Sequence, residues 1–267
     1  MVDTYTKGTM SLLPMPTNRI CSWPDSPNIM NTQFFDIHCH VLPKLDEGSS
    51  TPEESVKMLQ LAQADGIAGI VATPHIVNGV YNNTKEIIDN AILELKKLTN
   101  HMQIFVGAEI RIDRNLAARV ANSELPLINN KKFILLELPT YLIPPIARLE
   151  NIVKGLKMHE ITPIFAHPER NMPVLKDLSI MERLARCGAL FQVTAMSITD
   201  KDMRGHALKM IKKGYVHAVA SDAHDTKKRP PILSGAFEII SKKLGNDVAT
   251  RLFIHNPQKI IQGEDIG

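Results

Sequence analysis

His38 and His40 flank a single residue in FFDIHCHVLP (34–43), and Asp222 and His224 repeat that spacing in SDAH (221–224). Residues two apart on an extended strand point to the same side, so each pair presents two donors to one ion. Other apolar runs end in the same chemistry: Glu47 in the loop beyond the first, His75 in TPH, Glu109 in GAEIR, Glu137 in LLELP and His167 in AHPER. These nine side chains offer imidazole nitrogen and carboxylate oxygen without a thiolate, a donor set that suits Mn, Zn or Fe. They are too many for one four-coordinate ion, so a carboxylate-bridged cluster is expected. Such a cluster acidifies bound water toward neutral pH and points to hydrolysis. A lone His75 or Glu137 would more often be a satisfied polar residue; recurrence at six of seven strand ends decides for metal.

Arg111, Arg170 and Arg229 each follow a ligand-bearing strand end closely. Guanidinium binds phosphate oxygens in pairs, so three of them beside a metal cluster favour an anionic substrate, a phosphate ester above others. Other routes to this chemistry are missing. Six residues after Cys21, Cys39 and Cys187 stand Pro27, Leu45 and Val193, which excludes a cysteine-phosphatase loop. G-x-x-x-x-G-K-[ST], G-x-G-x-x-G and G-x-S-x-G are absent too. His101, His159, His206, His217 and His255 sit on helical patterns or at strand beginnings and are read as structural, and Cys39, alternating away from the two histidines, as core.

The elements that position these residues are strands at 34–37, 69–73, 103–107, 133–137, 163–166, 189–193 and 216–220, rich in Val, Ile and Phe as doubly covered strands are. Helical patterns lie between them at 51–66, 84–99, 144–158, 173–187, 200–213 and 231–255. In the first, Thr51 is the N-cap, Pro52 opens the helix, Glu54 completes a capping box and Gly66 ends it. Alternation of strand and helix implies parallel strands with right-handed crossovers. A (β/α) barrel is the simplest closure, with an open doubly wound sheet as the alternative. A barrel gathers all carboxy-terminal strand ends on one face, where active sites form.

The bulk numbers agree. The chain has 267 residues, is 44% hydrophobic and 22% charged, and carries a net charge of +3. That suits one large globular domain and gives no support to bulk nucleic-acid binding. Three widely spaced cysteines fit a reducing cytoplasm. No apolar stretch nears the ~20 residues of a membrane span. Residues 1–29 hold Pro14, Pro16, Pro24 and Pro27 without periodicity or signal-peptide character. Met30 then precedes the ordered pattern, so 1–29 reads as a mis-called or appended leader, with a short native arm as the alternative, and 30–267 as a single catalytic domain.

Taken in order, DIHCH…DEG, ATPH, GAEIR, LLELP, AHPER and SDAH resemble the motifs of the polymerase-and-histidinol-phosphatase (PHP) superfamily over roughly residues 34–262. Within it, DIHCHVLPKLDEGSSTPEES, ATPHIVNGVYNN and SDAHDTKKRPP look like the bacterial manganese-dependent protein-tyrosine phosphatases of capsule and exopolysaccharide loci. The resemblance implies a distorted seven-stranded (β/α) barrel of PHP type holding three divalent ions, Mn with Fe or Zn as alternatives. By position, His38, His40, Glu109 and Asp222 match the ligands of one ion, Glu109, Glu137 and His167 those of a second, and Glu47, His75 and His224 those of a third. Arg170 and Arg229 match the phosphate-binding arginines. Two positions depart from the pattern. Glu47 stands where Asp is usual, with Asp46 as an alternative donor, and Ile76 stands where a second His is frequent. Met196–Met203 is also shorter than usual.

The implied reaction is hydrolysis of tyrosine phosphate, with Arg170 and Arg229 neutralising developing charge and His40 or Asp222 as source of a proton for the leaving group. The implied partner is the phosphotyrosine-bearing tail of a cognate bacterial tyrosine kinase, without nucleic acid or membrane insertion. The likeness also links an exposed PEES (52–55) to homo-oligomer formation. A small-molecule phosphomonoesterase such as histidinol-phosphate phosphatase, a polymerase-associated phosphodiesterase and a non-catalytic metal-binding regulator are the rival readings.

Overall fold

A computed structural model describes residues 33–99, 102–139, 141 and 143–266; the expectation for residues 1–29 and His101 lie outside these. Nine strands occur among the described residues: β1 (Phe34–Cys39), β2 (Ile67–Ala72), β3 (His75–Ile76), β4 (Gln103–Val106), β5 (Glu109–Arg111), β6 (Phe133–Glu137), β7 (Thr162–Ala166), β8 (Leu190–Thr194) and β9 (Ala218–Ala220). Every ladder between them is parallel. They form two sheets, β1-β2-β4 and β3-β5-β6-β7-β8-β9.

The count exceeds the seven expected runs because two runs are interrupted. Only Thr73 and Pro74 separate β2 from β3, and only Gly107 and Ala108 separate β4 from β5. Pro74 has no N–H to give a ladder, although its carbonyl still accepts from Glu109 N at 3.2 Å. At Gly107 the chains approach so closely that a Cβ would stand 2.6 Å from Val71 Cγ1. Beyond each break the strand changes sheets and carries a functional residue, His75 or Glu109. The outer strands β1 and β9 share no ladder, but a parallel bridge joins Cys39 to Ala223 just past β9.

β6 and β7 are buried along their whole length, which explains their unbroken apolar sequences. Phe34, Phe133, Phe165, Phe191 and Phe253 are the largest buried side chains around the strands. Outside lie α1 (Pro52–Ala64), α2 (Lys85–Leu98), α3 (Leu116–Ala121), α4 (Ile146–Met158), α5 (Met172–Lys176), α6 (Ser179–Arg186), α7 (Ala195–Thr199), α8 (Arg204–Lys212), α9 (Ser234–Leu244), α10 (Asn246–Thr250) and α11 (Asn256–Gln262). No described helix is long and apolar enough to cross a membrane.

Several helical expectations change. Thr51 Oγ1 accepts from Glu54 N at 3.2 Å as an N-cap, yet the Glu54 carboxylate reaches Ser50 N at 2.9 Å and not Thr51, so the box is displaced by one residue. Ser55 of PEES is fully buried, its hydroxyl 2.8 Å from that of Ser49. The run 173–187 divides into α5 and α6 because Asp177 turns extended and caps Ser179 N at 2.9 Å. Asp200 likewise holds Asp202 N and Met203 N in a turn, so α8 starts at Arg204. Gly245, at φ +101°, divides 231–255.

Candidate metal centre

The carboxy-terminal strand ends converge on one face. His38 Nε2 and His40 Nε2 lie 3.1 Å apart at full burial. Their other ring nitrogens are engaged: His38 Nδ1 meets Gln192 Oε1 at 2.9 Å and His40 Nδ1 meets Asp46 Oδ2 at 2.7 Å. Both partners are acceptors, so each Nδ1 carries the proton and each Nε2 turns a lone pair inward. Glu109 Oε2 stands 3.2 and 3.4 Å from those nitrogens, and Asp222 Oδ1 stands 3.3 and 3.5 Å away. Two lone pairs and two carboxylate oxygens facing one another in a dry interior repel unless a cation or protons come between them. The donors are those of a divalent ion with mixed N/O ligation, and the residues fit one.

Two further groups adjoin the first. His75, Glu109 and Glu137 place ligand atoms within 4.8 Å of one another, as do His40, His75 and His224. His75 Nδ1 and His224 Nε2 are buried without a hydrogen-bond partner, orphans that a cation would satisfy. Glu47 Oε1 lies 3.0 Å from His75 Nε2 and 3.8 Å from His224 Nε2, and His167 Nε2 lies 2.7 Å from Glu109 Oε1. All nine residues singled out in the sequence are therefore gathered around Glu109. Where the resemblance paired Glu137 with Glu109 and His167, the geometry groups Glu137 and Glu109 with His75, and His167 adjoins Glu109 at its other oxygen.

Charge follows from burial and neighbours. Burial alone would raise Glu109 and Asp222, but the adjoining imidazoles, His38 foremost, hold both carboxyls well below the ordinary range. His40 is driven the other way: burial opposes its charge, yet Asp222, Asp46 and Glu109 hold it well above the usual imidazole value. His167 rises to about 9 against burial because of Glu109. His224 falls to about 3, through burial and then the positive His40 beside it. Without a cation, protons take its place on His40 and His167.

Above this floor, Arg170 Nη1 and Arg229 Nη2 both donate to Asp222 Oδ2, the latter at 2.5 Å. Arg111 donates through Nε and Nη2 to Glu137 Oε2 at 2.9 and 2.7 Å. With Leu138, Ala166 and Asn171 these groups line a cavity of about 220 Å³. Asp222 and His167 adopt positive φ, +54° and +33°, uncommon for residues bearing a Cβ and typical of places where a side chain must be aimed.

Of the two residues expected as proton source, Asp222 lines the cavity with Oδ1 facing the histidines and Oδ2 taking both arginines, while His40 is fully buried beneath it. Asp46, considered as a substitute ligand for Glu47, instead orients His40 and accepts His75 N at 2.8 Å. The sequence reading missed Gln192, whose signal was a lone polar residue in the apolar run ALFQV. It also missed Tyr81, stacked on His75 at 5.8 Å and 14°, which no pattern announced. His159, His206, His217 and His255 belong to none of the ligand groups.

A parallel α/β fold with His, Asp and Glu from successive strand ends around one cavity defines a metal-dependent hydrolase. The family described as capsular polysaccharide synthesis, CpsB/CapC, matches residues 34–262, and the chain belongs to that family. It is 32% identical over 240 residues to tyrosine-protein phosphatase YwqE of Bacillus subtilis, covering 87% of this chain and 93% of that protein. It is 34% identical over 209 residues to putative tyrosine-protein phosphatase CapC of Staphylococcus aureus, covering 76% and 81%. A crystal structure reported for YwqE and for CpsB of Streptococcus pneumoniae, described as metal-dependent tyrosine phosphatases, superposes with a TM-score of 0.83 at 31% identity. That match covers 87% of this chain and 96% of the other.

Proposed function

We propose that this chain is a metal-dependent protein-tyrosine phosphatase. Its substrate is the phosphotyrosine-bearing tail of a cognate bacterial tyrosine kinase in capsular or exopolysaccharide synthesis. The observation that carries the reading is the inward-facing set His38, His40, Glu109 and Asp222, with Arg170 and Arg229 seated directly above it. Three divalent ions, Mn foremost, would fall to His38, His40, Glu109 and Asp222; to Glu109, Glu137 and His167; and to Glu47, His75 and His224. Joining β2 to β3 and β4 to β5 leaves seven staves, which with the Cys39–Ala223 bridge supports a distorted seven-stranded barrel. The family match over 34–262 supports 30–267 as the catalytic domain, with 1–29 outside it. The reading includes a cytoplasmic location and self-association.

The residues do the following. A phosphate group entering the cavity meets Arg170 and Arg229, whose guanidiniums exchange Asp222 Oδ2 for phosphate oxygens and balance the charge that develops there. Arg111, tethered by Glu137, adds a third positive group at the mouth. His38, His40, Glu109 and Asp222, with the adjoining donors, would hold the ions at the floor, which would supply Lewis acidity and water made acidic near neutral pH. Burial of the floor keeps these interactions strong and their geometry set in advance. The tyrosine leaves as a phenoxide of pKa ~10, which departs without a proton from Asp222.

The test compares a phosphotyrosine peptide with histidinol phosphate on Mn-loaded protein. Efficient turnover of the peptide, poor turnover of histidinol phosphate and loss of activity on chelation are expected. The reverse preference would make this a small-molecule phosphatase.

A further inference from the structure

Three of the four side chains at the floor have an obvious cause for their orientation. Gln192 turns His38, Asp46 turns His40, and His167 holds Glu109 from its other oxygen. Asp222 has no such side-chain support beneath it: Oδ1 faces the histidines and Oδ2 takes the two arginines. Its position depends on its backbone, which stands at φ +54°. A residue with a Cβ holds that conformation only where its surroundings enforce it.

The surroundings here are sparse. Residues 221–223 lie at the seam between β1 and β9, where no ladder exists. Two main-chain bonds cross it, Asp222 N to His38 O and His40 N to Ala223 O, both 2.8 Å. The remaining bonds converge on Asp36, which is fully buried with no cation within ion-pairing distance among the described residues. Asp36 Oδ1 accepts Ser221 N at 3.0 Å and His38 N at 3.2 Å. Asp36 Oδ2 accepts the Ser221 hydroxyl at 2.5 Å, and that hydroxyl accepts Ala223 N at 3.1 Å. One carboxylate thus grips the residue before Asp222, reaches the residue after it through Ser221, and holds the backbone of His38 on the facing strand.

We infer that Asp36 is a positioning residue for the centre: by clamping Ser221 against His38 it imposes the left-handed backbone of Asp222 and so sets the cation affinity of the His38–His40–Glu109–Asp222 group. The inference rests on the metal-dependent reading above. Nothing in it requires Asp36 to touch an ion or a substrate.

The geometry separates clamp from charge. In Asp36→Asn the amide oxygen still accepts Ser221 N and His38 N. Its NH₂ donates to Ser221 Oγ, whose own proton turns to His38 O, 3.3 Å away. In Asp36→Ala the bonds from Ser221 N, His38 N and the Ser221 hydroxyl to residue 36 go, and only the bonds of Ser221 itself to Ala223 N and His38 O remain. Ser221→Ala removes the hydroxyl bonds alone and leaves Ser221 N on Asp36, a milder cut that serves if the alanine variant fails to fold.

The test is Mn²⁺ binding to the metal-stripped full chain, read from the electron paramagnetic resonance signal of free Mn²⁺ and below the unfolding temperature of each variant. Orienting partners behind ligands are typically worth about 10–100-fold in affinity. Asp36→Ala is expected to weaken the tightest site by that factor, Ser221→Ala by less, and Asp36→Asn to stay near wild type. Unchanged affinity in both Asp36→Ala and Ser221→Ala would overturn the inference. So would an Asp36→Asn loss as large as that of Asp36→Ala, which would assign the effect to charge. A wild-type chain that binds no Mn²⁺ would overturn the metal reading as well, a result distinct from either.

Discussion

At the floor of the centre the side chains of His38, His40, Glu109 and Asp222 are 0–1% exposed. At its rim those of Glu47, Arg111, Arg170 and Arg229 are 30–48% exposed. His38 and Glu109 lie in β1 and β5, His40 and Asp222 just past the ends of β1 and β9, and the spare polar atoms of His38, His40 and Glu109 are tied to Gln192, Asp46 and His167. At the rim Arg111 ends β5, Arg170 ends a one-turn element and Glu47 and Arg229 lie in loops, and each arginine leans on a carboxylate that also faces the floor. The difference separates two tasks. The floor holds like-charged and lone-pair-bearing atoms together before any ion arrives, which only a packed interior does. Rim groups must exchange partners when phosphate enters, so partial hydration and a replaceable partner suit them.

The comparison breaks first at His38. His38→Ala removes a floor nitrogen and leaves two carboxylates buried beside it. With several kcal/mol of charge stabilisation at stake, phosphatase activity should fall by roughly 1000-fold or more. Equilibrium dialysis should show at least one Mn²⁺ site lost. Full activity in this variant would sink the assignment of the centre.

A smaller and different effect belongs to Arg170. Removing one preorganised donor to a developing oxyanion costs on the order of 100-fold in rate. Arg170→Ala should lose about that factor while binding Mn²⁺ as the wild type does, because Arg170 touches the floor only through Asp222 Oδ2. If metal binding fell as it does in His38→Ala, floor and rim would be one unit and the distinction would fail.

The smallest effect contrasts the two ends of the strands. His217, just before β9, accepts Phe191 N at Nδ1 over 3.3 Å, and burial pushes its pKa below the usual imidazole value. A depressed pKa means that the folded chain prefers the neutral ring. Its stabilising contribution is complete above the unfolded value and is lost as pH falls through the folded one. Urea midpoints measured between about pH 8 and 5 should drop in the wild type. The decline should be shallower in His217→Gln, with catalysis at neutral pH unaffected. Equal slopes would show that His217 carries no such linkage.

Much of this was legible in the residues. His38 with His40 announces shared ligation because alternation on a strand is a local rule, whereas Asp222 and His224, spaced alike but past the end of β9, fall in different ligand groups. Glu109, Glu137 and His167 were legible because each ends an apolar run, and parallel strands bring such ends together. Local rules were weaker where a partner is distant in sequence. The breaks at Thr73–Pro74 and Gly107–Ala108 depend on how closely β4 passes Val71. The helix endings at Asp177, Asp200 and Gly245 depend on turns that compete with helical periodicity.

By itself, then, the sequence determined the parallel α/β class, the donor chemistry and the face on which the donors meet, since these follow from periodicity and from the types of residue at strand ends. The tertiary structure alone decided which nitrogen of each histidine turns inward, that Asp46 and Gln192 orient while Glu47 faces His75, and that Asp36 clamps the seam beneath Asp222. Each of those outcomes is a contact between residues far apart in the chain, and side-chain tautomer, charge and backbone strain are set by such contacts and not by local spacing.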